Sequence, residues 1–147
     1  MVKMKKLSFY FILLLILSSA CHSLNVQKLT RVNFELSKPN SDETEIWMVI
    51  EKESLEELER AFKELKWESD REIQMSKKED VHVTLFWEDD REMPEHLADY
   101  KIWFNDDDQT AIITSEREDE KYGELDEEKT ELVKREFLNT SNKIPAP

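Results

Sequence analysis

Between Val81 and Trp87 the chain alternates without a break. Val81, Val83, Leu85 and Trp87 share one parity, and His82, Thr84 and Phe86 share the other. A period of two marks a strand with one face against a core. The same alternation predicts a strand after Val26, where Val32, Phe34 and Leu36 are separated by Asn33 and Glu35. Residues Glu45–Glu51 predict a second strand, with Ile46, Met48 and Ile50 on one side and Trp47 and Val49 on the other. The period then changes. Leu55, Leu58, Phe62 and Leu65 fall on one helical stripe, with Glu56–Arg60 and Glu59–Lys63 at i,i+4 on the exposed side. Ser54 and Glu57 have the spacing of a capping box, which would start this helix at Ser54.

After Trp87 the acidic run Glu88-Asp89-Asp90 ends the strand, and Pro94-Glu95-His96-Leu97 reads as a loop or short helical turn. Tyr100–Phe104 and Thr110–Thr114 predict two strands joined by a hairpin over Asn105–Gln109. Lys121–Leu125 predicts one more short strand. Asp126 caps a last helix with Leu132, Val133 and Phe137 as its apolar stripe. Lys38–Asp42 reads as a loop and Asn139–Pro147 as a disordered tail. The order predicts an α+β fold, a mainly antiparallel sheet of about five to six strands with two helices packed on it. Residues 26–138 form its single domain.

The first 20 residues do not belong to that pattern. Lys3, Lys5 and Lys6 precede the apolar run Leu7–Leu17, which is followed by Ser18, Ser19 and Ala20. This is the three-part layout of a secretory signal, and the run is about half of the roughly 20 residues that span a bilayer. Cys21, the one cysteine of the chain, follows directly. Ser18 and Ala20 suit ordinary signal cleavage. Leu17-Ser18-Ser19-Ala20-Cys21 also resembles the lipobox of bacterial lipoproteins, in which a diacylglyceryl group joins the cysteine sulfur and cleavage leaves that cysteine first. The departure is at Ser18, where a bulky aliphatic residue is usual. The expectation is a lipid-anchored protein on the extracytoplasmic face of the cell membrane. The alternatives are simple secretion and an uncleaved anchor. His22–Asn25 would then be a tether that starts the domain only roughly 15 Å from the lipid.

Charge narrows the partners. The net charge is −13, and loss of the leader removes three lysines and no acid, giving −16. Nucleic acid is not an expected partner, because such binding draws on basic patches. Solubility explains the acid excess first; a cationic partner is the sharper explanation. Gly123 is the single glycine, which excludes glycine-rich phosphate loops and dinucleotide fingerprints. With one cysteine the chain makes no internal disulfide.

Catalytic chemistry finds little support. His22, His82 and His96 have no paired-ligand spacing. Asp106, Asp107 and Asp108 lack the glycine and glutamate register of a calcium loop, and read as a solvated turn. No cofactor, metal ligand or catalytic residue is assigned. Trp47, Phe86 and Trp103 lie on the less regularly buried parity of their strands and are the candidate partner surface, unless a helix or the loop near Pro94 covers them.

The stretches VTLFWED, PEHLADYKIWFN, TAIITS and KYGEL, together with the lipobox leader, resemble small Bacillus-type cell-envelope lipoproteins with a YhfM-like domain. The resemblance covers about three quarters of the mature chain. It implies the same α+β domain, no established enzymatic activity, and no catalytic residues. The functional expectation is a membrane-anchored binding or interaction module. Its alternatives are an inhibitor or immunity-type lipoprotein that blocks a basic exported partner, and a metal-assisted hydrolase built on His82 and His96.

Overall fold

A computed structural model of the chain describes residues 27–38, 44–88 and 95–147. The leader, Cys21, the tether, Pro39–Asp42, Asp89, Asp90 and Pro94 lie outside the described residues. The elements are β1 (Lys28–Leu36), β2 (Ile46–Val49), α1 (Lys52–Lys63), β3 (Val81–Glu88), β4 (His96–Asn105), β5 (Thr110–Ser115), β6 (Tyr122–Leu125), α2 (Glu127–Leu138), a 3-10 turn (Thr140–Asn142) and β7 (Ile144–Pro145). The fold is α+β, with one seven-stranded sheet in the order β6-β5-β4-β3-β1-β2-β7. Every neighbouring pair is antiparallel.

Alternation sets the two faces of this sheet. Val32 lies between Val49 and Leu85, and Phe34 between Trp47 and Val83. Ile102 lies between Val81 and Ile113. All of these except Trp47 are buried, and Trp47 packs on the same core. The helices cover this face. From α1 come Leu55, Leu58 and Phe62, and from α2 come Val133 and Phe137. Phe137 meets Phe34 with ring centroids 4.9 Å apart, and Phe62 meets Tyr100 at 5.2 Å. Each such side chain withdrawn from water contributes about 1.5–3 kcal/mol. The Leu29 N–H donates to Glu59 Oε2 at 2.9 Å, tying α1 to β1.

The predicted strands and helices are present, with differences at their ends. Helix α1 starts at Lys52, with Glu51 as a cap that makes no side-chain bond. Ser54 therefore lies inside the helix rather than at its start, and there is no capping box. Ser54 instead bonds Glu136 of α2, and Glu57 pairs with Arg135. Asp126 does cap α2, accepting from the Lys129 N–H at 2.9 Å. Strand β4 begins at His96, so the expected loop at His96–Leu97 is extended backbone. The tail expected to be disordered is placed as the 3-10 turn and β7 beside β2, with Met48 opposite Ile144. Lys143 explains its position: its Nζ donates to the buried Glu136 at 2.7 Å.

The connection from α1 to β3 wraps the sheet. Trp67 stacks on Tyr100 on the helical face, with centroids 5.5 Å apart. Glu68 then exchanges backbone hydrogen bonds with Tyr122 at the β6 edge, at 2.8 and 3.2 Å. Beyond that edge the chain lies on the outer face. Arg71 sits 4.0 Å over the Tyr122 ring, and the Lys77 carbonyl accepts from Trp103 Nε1 at 3.0 Å. The outer face is thus strapped over β6, β5 and the end of β4.

Candidate functional site

Next to the strap, the outer face of β3 and β4 carries polar side chains around a groove of about 530 Å³. His82, Leu97, Asp99 and Lys101 line one wall, and Thr114 to Arg117 line the other. Register explains the first wall. His82 pairs with Lys101 and Thr84 with Asp99, so their side chains stand together on the face away from the core. Thr84 Oγ1 donates to Asp99 Oδ1 at 2.6 Å, and His82 Nε2 lies 3.8 Å from the same oxygen.

The second wall is held by the turn after β5. Arg117 Nε lies 3.5 Å from both Asp119 Oδ1 and Glu120 Oε2. The Tyr100 hydroxyl donates to Glu120 at 2.5 Å from beneath. Burial first, then the bond to Glu120 and its charge, push the Tyr100 phenol far above its ordinary range. That hydroxyl therefore stays protonated as a donor at every physiological pH and fixes the turn.

Strand lengths create the central feature of the groove. β4 has 10 residues and β5 has 6. Pairing between them begins at Tyr100–Ser115, so β4 continues past the end of β5 through Asp99, Ala98 and Leu97. On its other side this same stretch pairs fully with β3, with Ala98 opposite Leu85. The direction of its free groups follows from the ladder. The Ser115 N–H donates to the Lys121 carbonyl, toward β6. Backbone groups alternate sides, so Thr114 faces β4, its partner Lys101 faces β5, and Asp99 and Leu97 face that same edge. Among the described residues no strand pairs with them. Leu97 is 56% exposed, the most exposed large apolar side chain described.

The aromatic residues singled out from the sequence do not come together. Trp47 lies opposite Phe34 and packs on the core, with the buried Val49 on the same face. Phe86 is on the outer face, where the Arg31 guanidinium sits 3.7 Å over its ring. Trp103 is also on that face but is 7% exposed beneath the strap. The Lys77 carbonyl of the strap accepts from its Nε1, and Pro94 lies outside the described residues. His82 and His96 are separated as well: His96 pairs with Trp87, on the opposite face from His82 and well along β3. Among the described residues no three metal-binding side chains cluster. Two of the hairpin acids have partners, one on α2 and one within the turn. Asp106 pairs with Lys134 at 2.8 Å, and Asp108 accepts from the Thr110 N–H and hydroxyl.

The open edge escaped sequence reading because Leu97 falls on the polar parity of β4. Its apolar side chain interrupts the alternation that Ala98, Tyr100 and Ile102 otherwise make against Asp99 and Lys101. The signal that could have found it is the unequal length of two successive strands in a hairpin. Comparison of the chain with protein-family models, curated proteins and solved structures finds no match in any of the three.

Proposed function

We propose that this chain is a lipoprotein anchored to the extracytoplasmic face of the cell membrane through Cys21, and that its folded body is a binding module rather than an enzyme. The observation that carries the location is the lone cysteine directly after a charged, then apolar, then small-residue leader. Two or more acyl chains on one cysteine hold a protein stably at a bilayer, where one chain binds only marginally. The binding role is supported by the groove, which combines an unpaired strand edge with charged and apolar side chains. Those are elements of recognition through the main chain.

A narrower form of the reading is an inhibitor of a basic exported protein. The net charge of −13 favours it, because a strongly acidic surface accelerates encounter with a cationic partner.

Replacing Cys21 with Ala tests the anchor. The wild-type protein is expected in the membrane fraction and to incorporate labelled palmitate. The variant should be soluble or unprocessed, and unlabelled. Identical fractionation of both, with no label on either, would remove the lipoprotein reading.

A further inference from the structure

Sheet edges invite pairing, and folded proteins cover or blunt them. This chain spends residues on doing so. At one end of the sheet, Glu68 bonds the backbone of Tyr122 on β6. At the other, β7 lies along β2, and the Ala146 N–H donates to the Ile46 carbonyl at 2.8 Å. The stretch Leu97–Asp99 is treated differently. It belongs to an inner strand, its β3 side is fully paired, and among the described residues its other side borders only the groove.

We infer that Leu97–Asp99 of β4 takes up an extended, cationic segment of a partner protein as an added strand in the groove. This deepens the binding-module reading and rests on it. The N–H and C=O groups of Leu97 and Asp99 would pair with the incoming main chain. Alternate side chains of the segment would share the outer face with Leu97 and Asp99, where cationic heads would meet the acids and the apolar stem of a lysine would lie along the exposed Leu97.

Charge selects the class of segment. Asp99 and Glu116 line the groove without a lysine or arginine partner among the described ion pairs. Arg117 is committed to Asp119 and Glu120, which leaves Lys101 as the cation of the groove free of a described ion pair. The whole chain adds a net charge of −13. The same charge argues against a second copy as occupant. Pairing two β4 edges would bring two strongly acidic bodies together, with the acids at each edge facing each other.

The test uses the full chain in detergent and three end-blocked synthetic peptides. One alternates lysine and valine, one alternates glutamate and valine, and the third is the lysine–valine peptide methylated on alternate backbone nitrogens. Amide exchange and titration are read together. The lysine–valine peptide is expected to slow exchange at the Leu97 and Asp99 N–H groups by about ten-fold or more, the scale of new strand hydrogen bonds. The glutamate–valine and methylated peptides should not. Leu97→Pro removes one edge donor at a position where an edge strand tolerates proline, and should weaken binding by about ten-fold. The methylated peptide asks the same question of the unaltered protein should the variant misfold.

Equal binding of the methylated peptide would show charge attraction alone and overturn the inference. So would a failure of the lysine–valine peptide to bind. Slow exchange at Leu97 and Asp99 that rises with protein concentration, without peptide, would assign the edge to a second copy. These outcomes do not depend on Cys21. A protein that captures the peptide but carries no lipid keeps the strand-addition site and loses the anchor, while a lipidated protein that fails the peptide arms does the reverse.

Discussion

Gly123 and Trp67 define one tight contact at the residue scale. The backbone of Gly123 does not need a glycine, since its φ is not positive; that conformation falls to Gln109, at 57°, in the β4–β5 turn. What Gly123 provides is space. A Cβ there would lie 3.1 Å from Ile113 Cγ2 and 3.3 Å from two atoms of the Trp67 indole. Trp67 in turn stacks on Tyr100, the residue that anchors the turn beside the groove. Gly123→Ala should therefore destabilise the fold by about 1–3 kcal/mol, the usual cost of overfilling a packed site. Denaturant midpoints check this. In a Trp67→Leu background the cost should shrink, because the indole that blocks the new methyl is gone. Equal costs in both backgrounds would show that Trp67 is not the obstacle. The sequence shows a lone glycine at this position, but not that an indole from a distant connection lies over it.

At the scale of elements, the two helices are joined by a polar contact that also holds the tail. Glu136 is 5% exposed and accepts from Arg135 Nε at 3.2 Å and from Lys143 Nζ at 2.7 Å, with Ser54 of α1 as a further partner. Burial alone would raise its pKa. The bonds from Lys143 and Ser54, the Lys143 charge and the Arg135 bond outweigh burial and hold it below the ordinary glutamate value of 4.5. A depressed folded pKa means stabilisation that is present above the unfolded value and is lost as pH falls through the folded one. Glu136→Gln should thus cost about 1.5–3 kcal/mol at pH 7, the range for hydrogen bonds to a charged group. The gap to wild type should close as the pH drops below the folded pKa. Unfolding midpoints across pH measure the gap, and exchange at the Ala146 N–H reports whether β7 loosens with it. A gap that stays constant to low pH would mean the carboxylate charge is not what matters.

Element order and helix stripes were legible because periods of 2 and 3.6 are local properties. The Ser54–Glu57 pair was misread because residues three apart share a helix side whether they cap it or face a neighbour. The tail was misread because Lys143 finds its buried partner only after α2 has packed.

For the whole molecule, charge acts on stability and on capture with opposite signs. The described ion pairs are mostly exposed, such as Lys52–Glu56 and Lys38–Glu45, and each such pair contributes only about 0–1 kcal/mol. Against them stands the self-repulsion of a chain with 34 acidic and 21 basic residues. Salt weakens both, but an exposed pair gains little from low salt, whereas a net charge of −13 repels itself over the whole chain. Raising sodium chloride from about 10 to 200 mM shortens the screening length from roughly 30 to under 10 Å. It should therefore raise the melting temperature, by about 3–5 °C for a gain near 1 kcal/mol in a domain of this size. The same titration should weaken capture of the lysine–valine peptide, because attraction between opposite charges is screened over the same distances. A protein that grows more stable while it binds less tightly is the expected result. If melting temperature and peptide affinity fall together, loss of the fold explains both and charge complementarity does not direct the binding. If affinity holds while stability rises, main-chain pairing and Leu97 supply the recognition, and the acid excess serves solubility alone.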